Sequence, residues 1–198
     1  MKSTEMKKVP LVLASASPRR LDLLRQIGLE PARVEPTHID ETPKADETPR
    51  RLALRLACEK AEAAAPLAPG CTVLAADTVV SVGRRILPKA ETEAQARQCL
   101  TLLSGRAHRV MTAIAVIAPN GRQASRLSES RLHFKRLSAA EIDAYVAGGE
   151  WAGKAGGYGI QGAAGAFVMN LQGSYSGVVG LPLYETWNLL AGLGCLAS

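Results

Sequence analysis

Aromatic residues make up only 4% of this 198-residue chain, leaving few rings on which the bases of a single-stranded nucleic acid could stack. No segment reaches the roughly 18 consecutive apolar residues that a membrane-spanning helix needs. The lysine-bearing N-terminus carries only a short apolar stretch, so the sequence reads as a soluble cytoplasmic protein without a targeting segment. The four cysteines (Cys58, Cys71, Cys99, Cys195) form no CxxC pair and share no zinc-ligand spacing with His38, His108 and His133. Reduced, mostly buried thiols are expected. The Walker pattern GxxxxGK(S/T) is missing, which argues against a conventional ATPase, and so is GxSxG. No cysteine has an evident histidine partner, so water is a better nucleophile than a protein side chain.

What is present begins with composition. Hydrophobic residues at 47% and charged residues at 21% describe a globular chain long enough to bury a sizeable core. The net charge of +6 suits an anionic ligand. The basic residues are scattered, which makes a nucleic acid polymer the weaker reading. There is no internal repeat and no evident domain boundary, so residues 1–198 are read as one domain.

The loop Ser15-Ala16-Ser17-Pro18-Arg19-Arg20 lies between an apolar strand, Val9 to Ala14, and an amphipathic helix from Arg19 to Gln26 that stops at Gly28. Small hydroxyl side chains let an anion approach the backbone, and a helix N-terminus aims N–H groups and partial positive charge at it. Arginine forks match phosphate oxygens. Ordinary capping and a solvated basic face would use the same residues.

A short strand, Ala32 to Glu35, leads to the polar loop His38 to Pro43. Thr48-Pro49 opens a helix running to about Ala65, on which Leu52, Leu56 and Lys60 recur at i, i+4, i+8. Lys60 therefore lies on the inward stripe, where it either snorkels to an edge or reaches an anion. The apolar run Cys71 to Ala76 reads as a buried strand ending in Asp77-Thr78 before Val79-Val80 resumes. A carboxylate there needs backbone donors, water, a cation or a metal. A helix over Thr92–Leu103, a hairpin turning at Asn120-Gly121 and a Ser138/Glu141 capping box follow. Eleven of the eighteen glycines fall between Gly148 and Gly180. The interleaved Trp151, Lys154, Tyr158, Gln161 and Phe167 favour a ligand-side loop over a flexible linker. A last helix from Leu181-Pro182 is expected to pack Tyr184, Trp187 and Leu190 inward.

Ser15, Ser17, Arg19, Arg20, Lys60, Lys89 and Lys154, with Asp40, Glu41, Asp77 and Gln161, form a set suited to cleaving a phosphoanhydride. Cations offset phosphate charge, and a carboxylate positions a divalent ion or takes a proton from water.

The segments LASASPRRLDLL, IDET, Glu59-Lys60-Ala61, ADTVV, LSGRAHRVMTA, KAGGYGIQG and GSYSGVVGLP, in that order over nearly the whole chain, resemble the Maf family of nucleoside triphosphate pyrophosphatases. The resemblance implies an α/β fold with an elongated, twisted mixed sheet, flanking helices and two lobes around a central cleft. It also implies a homodimer, and hydrolysis of a nucleoside triphosphate to the monophosphate and pyrophosphate with a divalent cation (Mg, Mn or Co). Asp77 matches the family's general base, and Glu41 its second catalytic acid; both are the implied metal ligands. Ser15, Ser17, Arg20, Lys60 and Lys89 match phosphate-handling positions, although the family usually has Lys-Pro where this chain has Pro88-Lys89-Ala90. Arg19, Thr78 and Gln161 match the set found in members that prefer dTTP and UTP, whereas members acting on 7-methyl-GTP carry Trp, Gln and Glu there. The competing readings are an enzyme for methylated or otherwise modified nucleotides and a nucleotide-binding regulator of septum formation. Retention of both Asp77 and Glu41 favours turnover.

Overall fold

A computed structural model describes residues 9–196; the N-terminal segment 1–8, read above for targeting, lies outside the described residues. Strand β1 (Leu11–Ala14) runs through the Ser15–Ser17 loop into helix α1 (Pro18–Gln26). Pro18 stands in the first turn, and Gly28, at φ +74°, donates its N–H to the Arg25 carbonyl at 2.9 Å. Next come β2 (Arg33–Val34) and α2 (Pro49–Ala64), which is capped by the Thr48 hydroxyl accepting from the Arg51 N–H. Beyond α2 lie β3 (Thr72–Val82), β4 (Arg85–Leu87), β5 (Lys89–Ala90) and α3 (Glu93–Leu103). The expected hairpin is β6 (Ala107–Ile117) and β7 (Gln123–Phe134), with Gly121 at φ +81° in its turn. Helix α4 (Ala139–Ala147) has the Ser138/Glu141 capping box. The glycine-rich stretch contains β8 (Lys154–Ala155), β9 (Val168–Gln172) and α5 (Tyr175–Val179), and α6 (Leu183–Gly192) follows.

The main sheet has the order β2-β1-β3-β6-β7-β9, with β4 also paired to β3. β1 is parallel to β2 and β3, whereas β3–β4, β3–β6, β6–β7 and β7–β9 are antiparallel. Leu23 and Leu24 of α1 pack with Leu13 and Leu74 on one face. Leu52 and Leu56 of α2 pack with Val12, Ala14, Val73 and Ala75 on the other. The connections around β1 thus use opposite faces, which opens a crevice beyond its carboxyl end. A third cluster joins α3 and α4 to Phe134, Tyr158 and Phe167.

One edge of β3 is shared by two strands. β1 pairs it over Thr72–Ala75 and β4 over Val80–Val82, so residues 76–79 have no strand neighbour on that edge among the described residues. β6 pairs the opposite edge without interruption from Val73 to Ser81. Asp77 therefore sits in the middle of one continuous strand, not at a strand's end as the sequence suggests. The strand keeps its backbone pairing through Asp77 and Thr78 because β6 supplies it. The glycine-rich segment packs as structure: Gly156, at φ +69°, lies so close to Val80 that an added Cβ would stand 2.9 Å from its Cγ1.

Two further expectations change. On α6 the buried positions are Thr186, Leu189 and Leu190, whereas Tyr184 is 79% and Trp187 46% exposed. Both sides of that helix carry apolar residues, and the aliphatic side faces the core. The cysteines are all unpaired, but only Cys99 is fully buried. No helix among the described residues is long and apolar enough to cross a membrane.

Candidate active site

The gap in the β3 edge forms the floor of a cavity of about 430 Å³. Successive residues of a strand point to opposite faces. Asp77 shares the face of Val73 and Ala75 and meets Lys60 from α2, while Thr78 meets Arg20 from α1 on the other. All ten residues assigned roles from the sequence line this cavity: Ser15, Ser17, Arg19, Arg20, Glu41, Lys60, Asp77, Thr78, Lys89 and Gln161. Lys154 lines it as well. Asp40 does not; its carboxylate accepts from the Thr42 N–H at 2.9 Å and closes a local turn.

Lys60 is the centre of the charged end. Its Nζ donates to Asp77 Oδ1 at 2.5 Å and lies 2.7 Å from Glu41 Oε1. The side chains of Lys60 and Asp77 are only 10% and 3% exposed. Lys89 pairs with the second oxygen of Glu41. Burial pushes the Glu41 carboxyl upward, but hydrogen bonds from Lys60 and Lys89 and their charges outweigh it, holding the group at about 2.

Ser17 is the N-cap of α1 yet makes no side-chain capping bond, which leaves its hydroxyl available to a ligand. Its N–H donates to Ser15 Oγ at 3.3 Å. Arg20 acts first as a clamp, donating from Nε to the Gly180 carbonyl at 2.8 Å, from Nη1 to Ser15 Oγ at 2.7 Å and from Nη2 to Thr78 Oγ1 at 3.3 Å. A guanidinium has five donors, so two N–H groups remain for a phosphate oxygen. Burial pushes Arg20 down, opposed by the charge of Asp77.

Thr78 is committed to this network. Thr112 Oγ1 donates to the Gly177 carbonyl at 2.7 Å, so the Thr78 hydroxyl supplies the hydrogen in its 3.0 Å contact with Thr112. Its lone pairs face Arg20. Thr78 lines the cavity and ties β3 to β6 and α1, and Thr112 carries the link on to α5.

Val80, Val110, Tyr158, Val178 and Val179 supply apolar lining to the cavity. Tyr158 is fixed by a 2.7 Å bond between its hydroxyl and His108 Nε2. Burial pushes His108 down to about 4 and Tyr158 upward, so both are neutral near pH 7. Gln161 and Arg19 line the cavity too, and burial pushes Arg19 down. The lining valines, Pro36, Thr37 and the Gly180 carbonyl carry no local chemical signature, and His38 joins them from the polar loop without a role that the sequence assigns. For Tyr158 the sequence shows only its place in the glycine-rich stretch.

The carboxylates of Glu41 and Asp77 are hard oxygen donors of the kind a magnesium or manganese ion accepts alongside substrate phosphates. No group of three or more His, Cys, Asp or Glu side chains gathers among the described residues. Phosphate oxygens and water would have to complete the coordination.

The chain resembles known proteins over most of its length. It is 70% identical over 184 residues to a dTTP/UTP pyrophosphatase of Caulobacter vibrioides, covering 93% of this chain and 95% of that protein. It is 66% identical over 184 residues to a dTTP/UTP pyrophosphatase of Novosphingobium aromaticivorans, covering 93% and 92%. Among solved structures, the Ham1 protein of Staphylococcus aureus overlays with a TM-score of 0.46 at 19% identity, over 63% of this chain and 71% of that one. A family model described as Maf-like protein matches residues 10–193, and the chain belongs to that family.

Proposed function

We propose that this protein is a nucleoside triphosphate pyrophosphatase that hydrolyses dTTP and UTP to the monophosphate and pyrophosphate. The observation that carries the reading is the juxtaposition of Asp77 and Glu41 about the Lys60 ammonium, in a cavity also lined by apolar side chains and the Gln161 amide. The 70% identical relative named for that activity supports it.

Each residue has a task on this reading. The α1 N-terminus, Ser15, Ser17 and the two remaining donors of Arg20 receive phosphate oxygens, with Lys60 and Lys89 adding charge. An arriving triphosphate competes with Asp77 for Lys60 Nζ. As Lys60 turns toward phosphate, Asp77 becomes free to accept a proton from the attacking water. Glu41, held ionised by two lysines, keeps its negative charge throughout. A divalent cation held by Glu41 and Asp77 would offset charge on the phosphates and lower the pKa of bound water. The apolar lining, Gln161 and Arg19 receive the base, the amide of Gln161 matching one donor and one acceptor of uracil or thymine.

The reading includes a cytoplasmic homodimer, with the exposed Tyr184 and Trp187 face of α6 as a surface for the second copy. Sedimentation at several concentrations tests the dimer. The activity is tested by incubating the purified protein with dTTP, UTP and 7-methyl-GTP in magnesium, manganese or cobalt and separating the products. Monophosphate and pyrophosphate from dTTP and UTP are expected. Diphosphate and orthophosphate, or a preference for 7-methyl-GTP, would overturn the reading.

A further inference from the structure

Lys154 is a cavity-lining cation that the phosphate chemistry leaves unused. β8 pairs antiparallel with β5, Lys89 opposite Ala155 and Ala90 opposite Lys154. Residues directly opposite in such a pair share a face. Lys89 and Lys154 therefore project to opposite faces of the same two-stranded ribbon. Lys89 turns to Glu41 at the charged end. Lys154 turns to Gly159, where an added Cβ would lie 3.0 Å from Lys154 Cε and 3.1 Å from Gln161 Nε2. The ammonium stem and the Gln161 amide converge over that glycine, and Gly159 leaves the room for both.

Lys154 has no carboxylate within ion-pair distance among the described residues. Its Nζ donates to the Glu150 carbonyl, while the Glu150 carboxylate accepts from the Ala163 N–H. Burial and the nearby charge of Arg19 push its pKa down, while Glu150 opposes them. A half-buried ammonium with one acceptor retains two donors for a ligand.

A uracil or thymine edge presents acceptor, donor, acceptor: O4, N3–H and O2. Gln161 supplies one donor and one acceptor, enough for two of the three. We infer that Lys154 is a substrate-binding residue that donates from Nζ to the base O2, the carbonyl left unpaired when the Gln161 amide reads O4 and N3–H. This rests on the proposed pyrimidine nucleotide reading. The contact would favour bases carrying that carbonyl, because a base without it leaves the ammonium desolvated and unpaired.

The test uses Lys154→Met, which keeps the stem and removes the charge, with Lys154→Gln as a second variant should the first fail to fold. Kinetics are measured with UTP and 2-thio-UTP, whose sulfur is a poor acceptor, and inorganic tripolyphosphate is titrated as an inhibitor. A hydrogen bond to a charged group corresponds to about a 10- to 100-fold effect. That rise is expected in KM for UTP, with kcat changed little, unchanged inhibition by tripolyphosphate, and loss of the preference for UTP over 2-thio-UTP. Weaker tripolyphosphate inhibition would place Lys154 on the phosphates and overturn the inference. So would a folded variant with wild-type KM, or one that retains the full thio preference. If the wild-type protein releases no pyrophosphate from UTP, the functional reading falls and takes this inference with it; any of the other failures leaves that reading standing.

Discussion

Replacing Lys60 with Met tests the centre of the site through stability as well as rate. The substitution keeps the aliphatic stem that packs beside Leu56 on the inward stripe of α2, and removes the charge between Asp77 and Glu41. The two carboxylates respond differently. Glu41 retains Lys89, and its side chain is 37% exposed, so water screens much of its loss. Asp77 is 3% exposed and loses the ammonium at 2.5 Å. Breaking a buried pair from one side costs about 3–5 kcal/mol, and the remaining water access at the cavity places this case near the lower end, about 3 kcal/mol. For a domain of this size that lowers Tm by roughly 6–12 °C. The double variant Lys60→Met/Asp77→Asn removes both charges and should recover much of that loss, giving a coupling of about 2 kcal/mol in a double-mutant cycle. Differential scanning calorimetry of the wild type, both single variants and the double variant measures it directly. Single variants within a degree of wild type, with additive effects, would show that Lys60 and Asp77 are not a desolvated pair. Lys60 would then not be the group whose movement releases Asp77.

Asp77→Asn should fold and retain the Lys60 contact through the amide oxygen, yet lose about 10²- to 10⁴-fold in turnover, because an amide cannot take the proton from water; near-normal single-turnover rates in a folded variant would count against the base assignment. Thr78→Val should cost about 1–3 kcal/mol by leaving Arg20 Nη2 and the Thr112 oxygen short of a partner, with triphosphate KM raised through the displaced clamp; a thermal melt and UTP kinetics check both parts. Glu41 has a folded value of about 2 against an ordinary 4.5, so the folded state holds this proton less readily than the unfolded chain. Its contribution to stability is fully present above about pH 4.5 and disappears as pH falls toward 2. Chemical denaturation at pH 5, 3.5 and 2.5 should show a pH-dependent loss that Glu41→Gln reduces.

Local physics made several parts legible without coordinates. The Thr48-Pro49 start and the i, i+4, i+8 spacing of Leu52, Leu56 and Lys60 define α2 and its buried side, because helical period and capping depend on neighbours along the chain. Asn120-Gly121 defines the β6–β7 hairpin for the same reason. The Ser15–Ser17 loop entering α1 is likewise visible, since Pro18 and the small hydroxyls act within one turn. The remainder depends on residues far apart in sequence. Asp77 looks like a strand terminus until β6 supplies its backbone pairing, and the exposed edge beside it exists only because β1 and β4 share one side of β3. That the Thr78 hydroxyl joins Arg20 to Thr112 follows from contacts across three elements, which no local pattern shows. Tyr184 and Trp187 look like core residues until Thr186, Leu189 and Leu190 take the inner side of α6, since periodicity gives a helix two candidate faces but not which one the sheet covers. The inventory of charged groups was therefore in the sequence, whereas the bridge of Lys60 between Glu41 and Asp77 and the turning of Lys154 toward Gln161 were decided by strand register, which no local pattern encodes.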